Sequence, residues 1–213
     1  MSLYVQYGCG LSAPTTWTNF DASPTLRIQK IPVIGSALAK KVQGFTFPDN
    51  VRYGNIVTGL PLPDNSADAV YCSHVLEHLT IEEFRKALRQ SHRILKPNGI
   101  FRLVMPNLER LVHQYLENQK LVPAEASIKF MENTGTVPVE VRNRSFFASL
   151  KRQYANSLHL SLWDAVSTRN ELLKAGFSEV REARFNDSEL ECFKAVEDES
   201  RFQHALAFQC SKS

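Results

Sequence analysis

Apolar residues recur along this chain in two rhythms. Short runs at Leu3–Tyr7, Trp17–Phe20, Val51–Val57, Ala69–Cys72, Ile100–Val104, Phe177–Phe185 and Ala205–Ser211 predict strands, most of them bounded by turn-forming residues. Between them the spacing lengthens to three and four. Phe84, Leu88, Ile94 and Leu95 predict a helix that starts near Ser73–His78 and is stopped by Lys96-Pro97-Asn98-Gly99. Leu108, Leu111, Val112, Tyr115 and Leu116 predict a second helix over 107–119, and Ser167–Ala175 predicts a third, closed by Gly176. A further helix is expected over 34–42 in the less regular stretch 22–50. Residues 120–158 lack a steady period and hold Asn133-Thr134-Gly135-Thr136, which predicts a mostly helical or irregular insertion. Strands alternating with helices argue for one α/β domain over 1–213 with a mostly parallel sheet. The short polar link between Phe185 and Ala205 predicts that the last strand returns antiparallel at one edge.

Composition narrows the function classes. With 213 residues, 43% of them apolar, the chain can bury a full core. A net charge of +3 without a dense basic stripe argues against a nucleic-acid binder. The segment Arg142–Arg152, with Phe146, Phe147 and Tyr154 nearby, reads as an ordinary amphipathic surface. Four cysteines without a CxxC pair, and no histidine spacing suited to zinc, predict reduced thiols, no metal site and a cytoplasmic protein. No signal peptide and no run long enough for a membrane helix is visible.

The candidate chemistry sits where strands end. In open α/β sheets ligands bind outside the carboxyl ends of the strands. Gly8-Cys9-Gly10 follows the first strand, Asp21 ends the second, Asn55 the third, and Ser73-His74 the fourth. A Gly-x-Gly turn lets a ligand approach the backbone and offers it N–H groups. A carboxylate on the neighbouring strand can accept hydrogen bonds from ribose hydroxyls. An asparagine can read the edge of an adenine. Each signal alone is an ordinary turn; their order along successive strands is what makes a site.

With these residues the chain resembles the class I S-adenosylmethionine-dependent methyltransferases, specifically the small single-domain members with a His-Val-Leu-Glu-His segment. The resemblance rests on Val5–Gly10, Asn19–Asp21, Tyr53–Ile56, Leu60–Val70, His74–His78, Leu95–Gly99 and Leu173–Phe177. It implies a Rossmann-like, mostly parallel seven-stranded sheet with an antiparallel last strand and helices on both faces. It implies S-adenosylmethionine as cofactor, with Gly8, Cys9 and Gly10 around its methionine portion, Asp21 on the ribose, Asn55 and Ile56 near the adenine, and Ser73 and His74 beside the sulfonium. Residues 120–158 are then the expected cover of a small-molecule acceptor. The chain departs from the pattern in three places. Only ten residues separate Gly10 from Asp21, too few for a helix and a strand, so the first crossover shrinks to a loop through Ser12-Ala13-Pro14. The first strand begins almost at residue 1, without the covering helices that precede it in many relatives. Asn55 stands where an acidic residue is usual.

Methyl transfer needs alignment first, and a base only when the acceptor holds its proton tightly. His74 is the first candidate base, since imidazole titrates near neutrality. Glu77 and His78 read as residues that orient the helix start; Asn107 and His159 are further candidates. The rival readings are a non-catalytic cofactor-binding or interaction module with the same fold, and a nicotinamide dehydrogenase. Ala13-Pro14 breaks the G-x-G-x-x-G turn that the last would want.

Overall fold

The computed structural model describes residues 2–137 and 158–213, without the side chains of residues 41–43. Seven strands form one sheet: β1 (Tyr4–Tyr7), β2 (Thr18–Asp21), β3 (Val51–Tyr53), β4 (Ala67–Ser73), β5 (Leu95–Pro106), β6 (Phe177–Glu182) and β7 (Ala205–Lys212), in the order β3-β2-β1-β4-β5-β7-β6. The first five pair in parallel, and β7 runs antiparallel to both of its neighbours. The antiparallel last strand is therefore present, but in the interior. Seven residue pairs join it to β5, and β6 takes the edge instead.

The strand period explains how the sheet is covered on both faces. Along β4, Val70 and Cys72 point into the larger core with Phe84, Leu88 and Phe101, while Ala69 and Tyr71 join Trp17, Val104 and Phe193 on the other side. Among the described residues the helices are α1 (Pro24–Gln29), α2 (Gly35–Gln43), α3 (Ile81–Ile94), α4 (Leu108–Leu121), α5 (Ala126–Thr134), α6 (Ala165–Lys174) and α7 (Glu199–Phe202).

Several expectations need correcting. Helix α3 does not include the His74–His78 segment. Leu76–His78 is a separate 3₁₀ turn, and Thr80 then starts α3 with a reciprocal capping box to Glu83. Lys96-Pro97-Asn98-Gly99 lies within β5, as a bulge between the pairs Ala67–Leu95 and Ala69–Ile100. Helix α1 was not expected, although Ser23-Pro24 has the proline-first pattern of a helix start. The link 185–205 is not merely polar. It holds a 3₁₀ turn (Glu191–Ala195) and α7, and it buries Phe193 and Val196 against the sheet. Of the expected cover over 120–158, helix α5 is seen; residues 138–157, and with them the basic and aromatic segment Arg142–Arg152 and Tyr154, lie outside the described residues.

Ten residues connect β1 to β2, fewer than a parallel crossover usually takes. No helix forms there. Two buried amides take over its hydrogen bonding: Gln6 Nε2 donates to Ser12 O (2.7 Å) and to Asn19 Oδ1 (2.6 Å), and Asn19 Nδ2 donates to the carbonyls of Pro14 and Trp17 (both 3.0 Å). The shortened crossover is thus tied from inside the sheet.

Candidate active site

The turn after β1 is fixed by the strand beside it. Gly8 and Gly10 have φ of +64° and +55°, the left-handed region that favours glycine. The two glycines answer different needs. A Cβ on Gly8 would stand 2.2 Å from Val75 Cγ2, so the turn packs directly under the residue after His74; a Cβ on Gly10 would meet nothing within 4 Å. Cys9 N–H donates to Phe20 O (3.1 Å), and its thiol turns inward among Leu26, Phe47 and Val51. Burial, with the Asp21 charge nearby, pushes that thiol's pKa up to about 12, so it serves as packing.

Asp21 is buried at the end of β2 and already carries structure. Its Oδ2 accepts the Gly10 N–H (3.0 Å) and its Oδ1 the Ser23 N–H (2.7 Å). One carboxylate therefore sets the glycine turn and the entry to α1 at once. Each oxygen keeps a lone pair. Asn55 Oδ1 accepts the Val57 N–H (2.8 Å), an Asx turn that shapes the loop after β3.

On the opposite wall, β4 delivers His74, whose φ of +53° is unusual for a side chain with a Cβ. Both of its ring nitrogens face acceptors. Nδ1 lies 3.2 Å from Glu77 Oε1, and Nε2 donates to Arg201 O at 3.0 Å. Burial works against charge on this ring, but the Glu77 carboxylate and the Arg201 carbonyl outweigh it and raise the pKa above its usual value. Glu77 is itself only 1% exposed. Its backbone carbonyl accepts from Leu160 (2.7 Å) and Ser161 (3.1 Å), which brings the chain after residue 157 back against the 3₁₀ turn. His159 arrives with it, its Nδ1 donating to Thr134 O (2.7 Å) and its Nε2 4.0 Å from Glu77 Oε1. Burial lowers the His159 pKa; Glu77 opposes this and His78 adds to it.

These elements enclose a cleft of about 540 Å³ at the carboxyl ends of β1, β2 and β4. Gly8, Asp21, Asn55, Ile56 and His74 line it. Gly10, Cys9 and Ser73 stand behind them: Gly10 holds Asp21, and Ser73 is buried with its carbonyl accepting from Arg201 (3.4 Å). Asn107 is the N-cap of α4, accepting the Arg110 N–H, and does not line the cleft. Sequence reasoning missed Ser23, Pro24, Leu79, Glu83 and Leu160 in the lining. Only Ser23-Pro24 carried a signal, as a helix start beside Asp21. A larger hollow, about 660 Å³, surrounds the starts of β2 and β3 and contains none of the expected site residues.

Similarity to known proteins agrees with this geometry. Residues 5–103, from β1 into β5, match the family model described as a methyltransferase domain. A probable methyltransferase of Aspergillus luteorubrus, ltbC, is 46% identical over 48 residues, 22% of this chain and 17% of that protein. The aligned stretch thus spans under a fifth of the relative. Among solved structures, the methyltransferase in a complex with the Trm112 activator from Haloferax volcanii superposes with a TM-score of 0.50 at 16% identity, covering 99% of this chain and 82% of that one. A SAM-dependent methyltransferase from Archaeoglobus fulgidus gives 0.50 at 15% identity, covering 99% and 86%. At such identities the structures speak for the fold. The β1–β5 half of the chain thus matches a methyltransferase domain, and the sheet as a whole has the fold of solved methyltransferases.

Proposed function

We propose that this chain binds S-adenosylmethionine in the cleft between Gly8, Asp21 and His74 and transfers its methyl group to a small metabolite, lipid or sugar. The observation that carries the reading is the Asp21 carboxylate. It locks the Gly8–Gly10 turn in place and still has a lone pair free on each oxygen, beside a glycine whose Cβ side is open. That combination suits a ligand with a hydroxyl-bearing ribose and a chain laid along the turn. Asn55 and Ile56 supply a polar edge and an apolar face for a purine. When bound, the cofactor supplies an activated sulfonium methyl. The protein's part is to hold the acceptor in line and keep water out.

His74 then acts by position. With one nitrogen on Glu77 and the other on the Arg201 carbonyl, the ring has no lone pair turned to the cleft, which favours alignment over general-base catalysis. The acceptor's cover is proposed within residues 120–158, of which 138–157 lie outside the described residues.

Calorimetry with S-adenosylmethionine, its demethylated product and NADH tests the cofactor. The first two should bind and NADH should not. Asp21→Ala should weaken binding more than about tenfold, because a charge-assisted hydrogen bond contributes roughly 1.5–3 kcal/mol. Wild-type affinity in that variant would remove the ribose assignment. Transfer of labelled methyl groups into fractionated small-molecule extracts tests turnover.

A further inference from the structure

Behind the His74 wall lies a group of side chains that methyl transfer does not use. Glu77, His78 and His159 each place a ligand atom within 4.8 Å of the others. They come from two distant segments, the 3₁₀ turn after β4 and the chain after residue 157, joined by the Glu77 carbonyl's bonds to Leu160 and Ser161. Both imidazoles are fixed from behind. Nδ1 of His78 donates to Leu158 O (3.1 Å) and Nδ1 of His159 to Thr134 O (2.7 Å), which sets the tautomer and leaves Nε2 as the lone-pair nitrogen on each ring. A backbone carbonyl behind a histidine is the usual support of a metal-ligating ring. Room is made for His159 at Gly135, where a Cβ would come within 2.8 Å of Nδ1.

The second observation is a vacancy in the hydrogen bonding. Glu77 is 1% exposed, and while its Oε1 meets His74, its Oε2 has no partner among the described residues. A buried carboxylate oxygen without a donor leaves its lost hydration uncompensated, so this atom asks for a cation. We propose that Glu77, His78 and His159 bind one zinc-class divalent cation at the edge of the cleft. Two imidazoles and one carboxylate suit Zn²⁺ and related first-row ions and do not suit Mg²⁺, which takes oxygen ligands. Donors bound at about 2.0–2.2 Å to one ion stand about 3–4 Å apart. His159 Nε2 and Glu77 Oε1 stand 4.0 Å apart and the three ligand atoms within 4.8 Å of one another, so the donors need draw in by about 1 Å. Three protein ligands leave a position for water, and His78 is the ligand that lines the cleft. The site does not depend on the cofactor reading.

The test uses the full chain, tag removed, dialysed against a chelator. Zn²⁺ should then bind with one-to-one stoichiometry by competition calorimetry, Co²⁺ should develop the visible bands of a four- or five-coordinate ion, and Mg²⁺ should do neither. His78→Gln and His159→Gln should each weaken Zn²⁺ by at least about 100-fold, the upper end of what losing even a supporting partner costs. His113→Gln, on an exposed histidine of α4, should bind as wild type. Glu77→Gln should also lose binding; if it fails to fold, the two histidine variants decide. No stoichiometric Zn²⁺ binding, or wild-type affinity in His159→Gln, would overturn the site.

Discussion

At the scale of single residues, the two glycines of the β1 turn separate conformational need from packing need. Gly10→Ala pays only for the left-handed backbone, about 1–2 kcal/mol, since its Cβ would meet open space. Gly8→Ala carries the same penalty plus a collision with Val75 and should be clearly worse. Chemical denaturation of both variants should show that order, and Val75→Ala in the Gly8→Ala background should recover part of the loss. Equal destabilisation would mean that Val75 yields freely. His74 is a second residue whose surroundings decide its part. If it positions, His74→Ala should weaken cofactor binding and leave the saturating rate nearly unchanged. A fall of about 10²–10⁴-fold in that rate at constant affinity would instead mark a base. Neither distinction was available from residue types alone. The Gly-x-Gly string and the histidine were visible in the sequence, but their partners, Val75 and the Arg201 carbonyl, are set by the fold.

Among the elements, those with their own periodicity or punctuation were legible. Helix α3 announces itself through Phe84, Leu88 and Ile94, and α6 through its run up to Gly176; both are present, α6 within a few residues of its expected bounds and α3 starting only at Ile81, after the Ser73–His78 stretch expected to open it. What was not legible depends on distant pairing. Nothing local tells β7 to insert between β5 and β6, and nothing near Glu77 foretells that His159 returns to it. The β1–β2 crossover falls between these cases. Its brevity was plain, whereas the support from Gln6 and Asn19 was not, because a polar residue in a strand gives no sign of which carbonyls it will meet. Asn19→Ala should therefore be costly for a small change. It removes the acceptor for Gln6 and the donor for Pro14 and Trp17, and leaving such buried groups unmatched costs about 1–3 kcal/mol each. The expected signs are a lower denaturation midpoint and faster proteolysis between residues 11 and 17, with weaker cofactor binding as the turn loosens.

For the molecule as a whole, the segment 184–209 is bolted to the sheet by one charged residue. Arg102 is 1% exposed in the middle of β5, and its guanidinium donates to Glu197 (2.6 Å), Asp187 (2.8 Å), Gln209 (2.8 Å) and the Arg184 carbonyl (2.8 Å). Partial burial alone would raise the Asp187 pKa, but the bonds from Arg102, Arg181 and the Arg184 N–H outweigh it and hold the pKa below its ordinary 3.8. A carboxylate depressed by folding contributes stability above its unfolded pKa and loses it as pH falls through the folded value. The melting temperature should accordingly fall as pH drops below about 4, the ordinary aspartate value, and Asp187→Asn should be less stable at neutral pH but flatter across that range. Unchanged acid sensitivity in the variant would take Asp187 out of the account. The same bolt has a consequence for how the protein comes apart. Peeling the 184–212 segment from β5 would strip Arg102 at once of its four acceptors and of the Phe193 ring, and break the β5–β7 ladder with them, a state too costly to visit while the rest of the sheet stands. In amide hydrogen exchange, β7 should therefore behave like β4 and β5, its slowest protons released only when the entire sheet opens, even though it comes last of the seven strands in chain order.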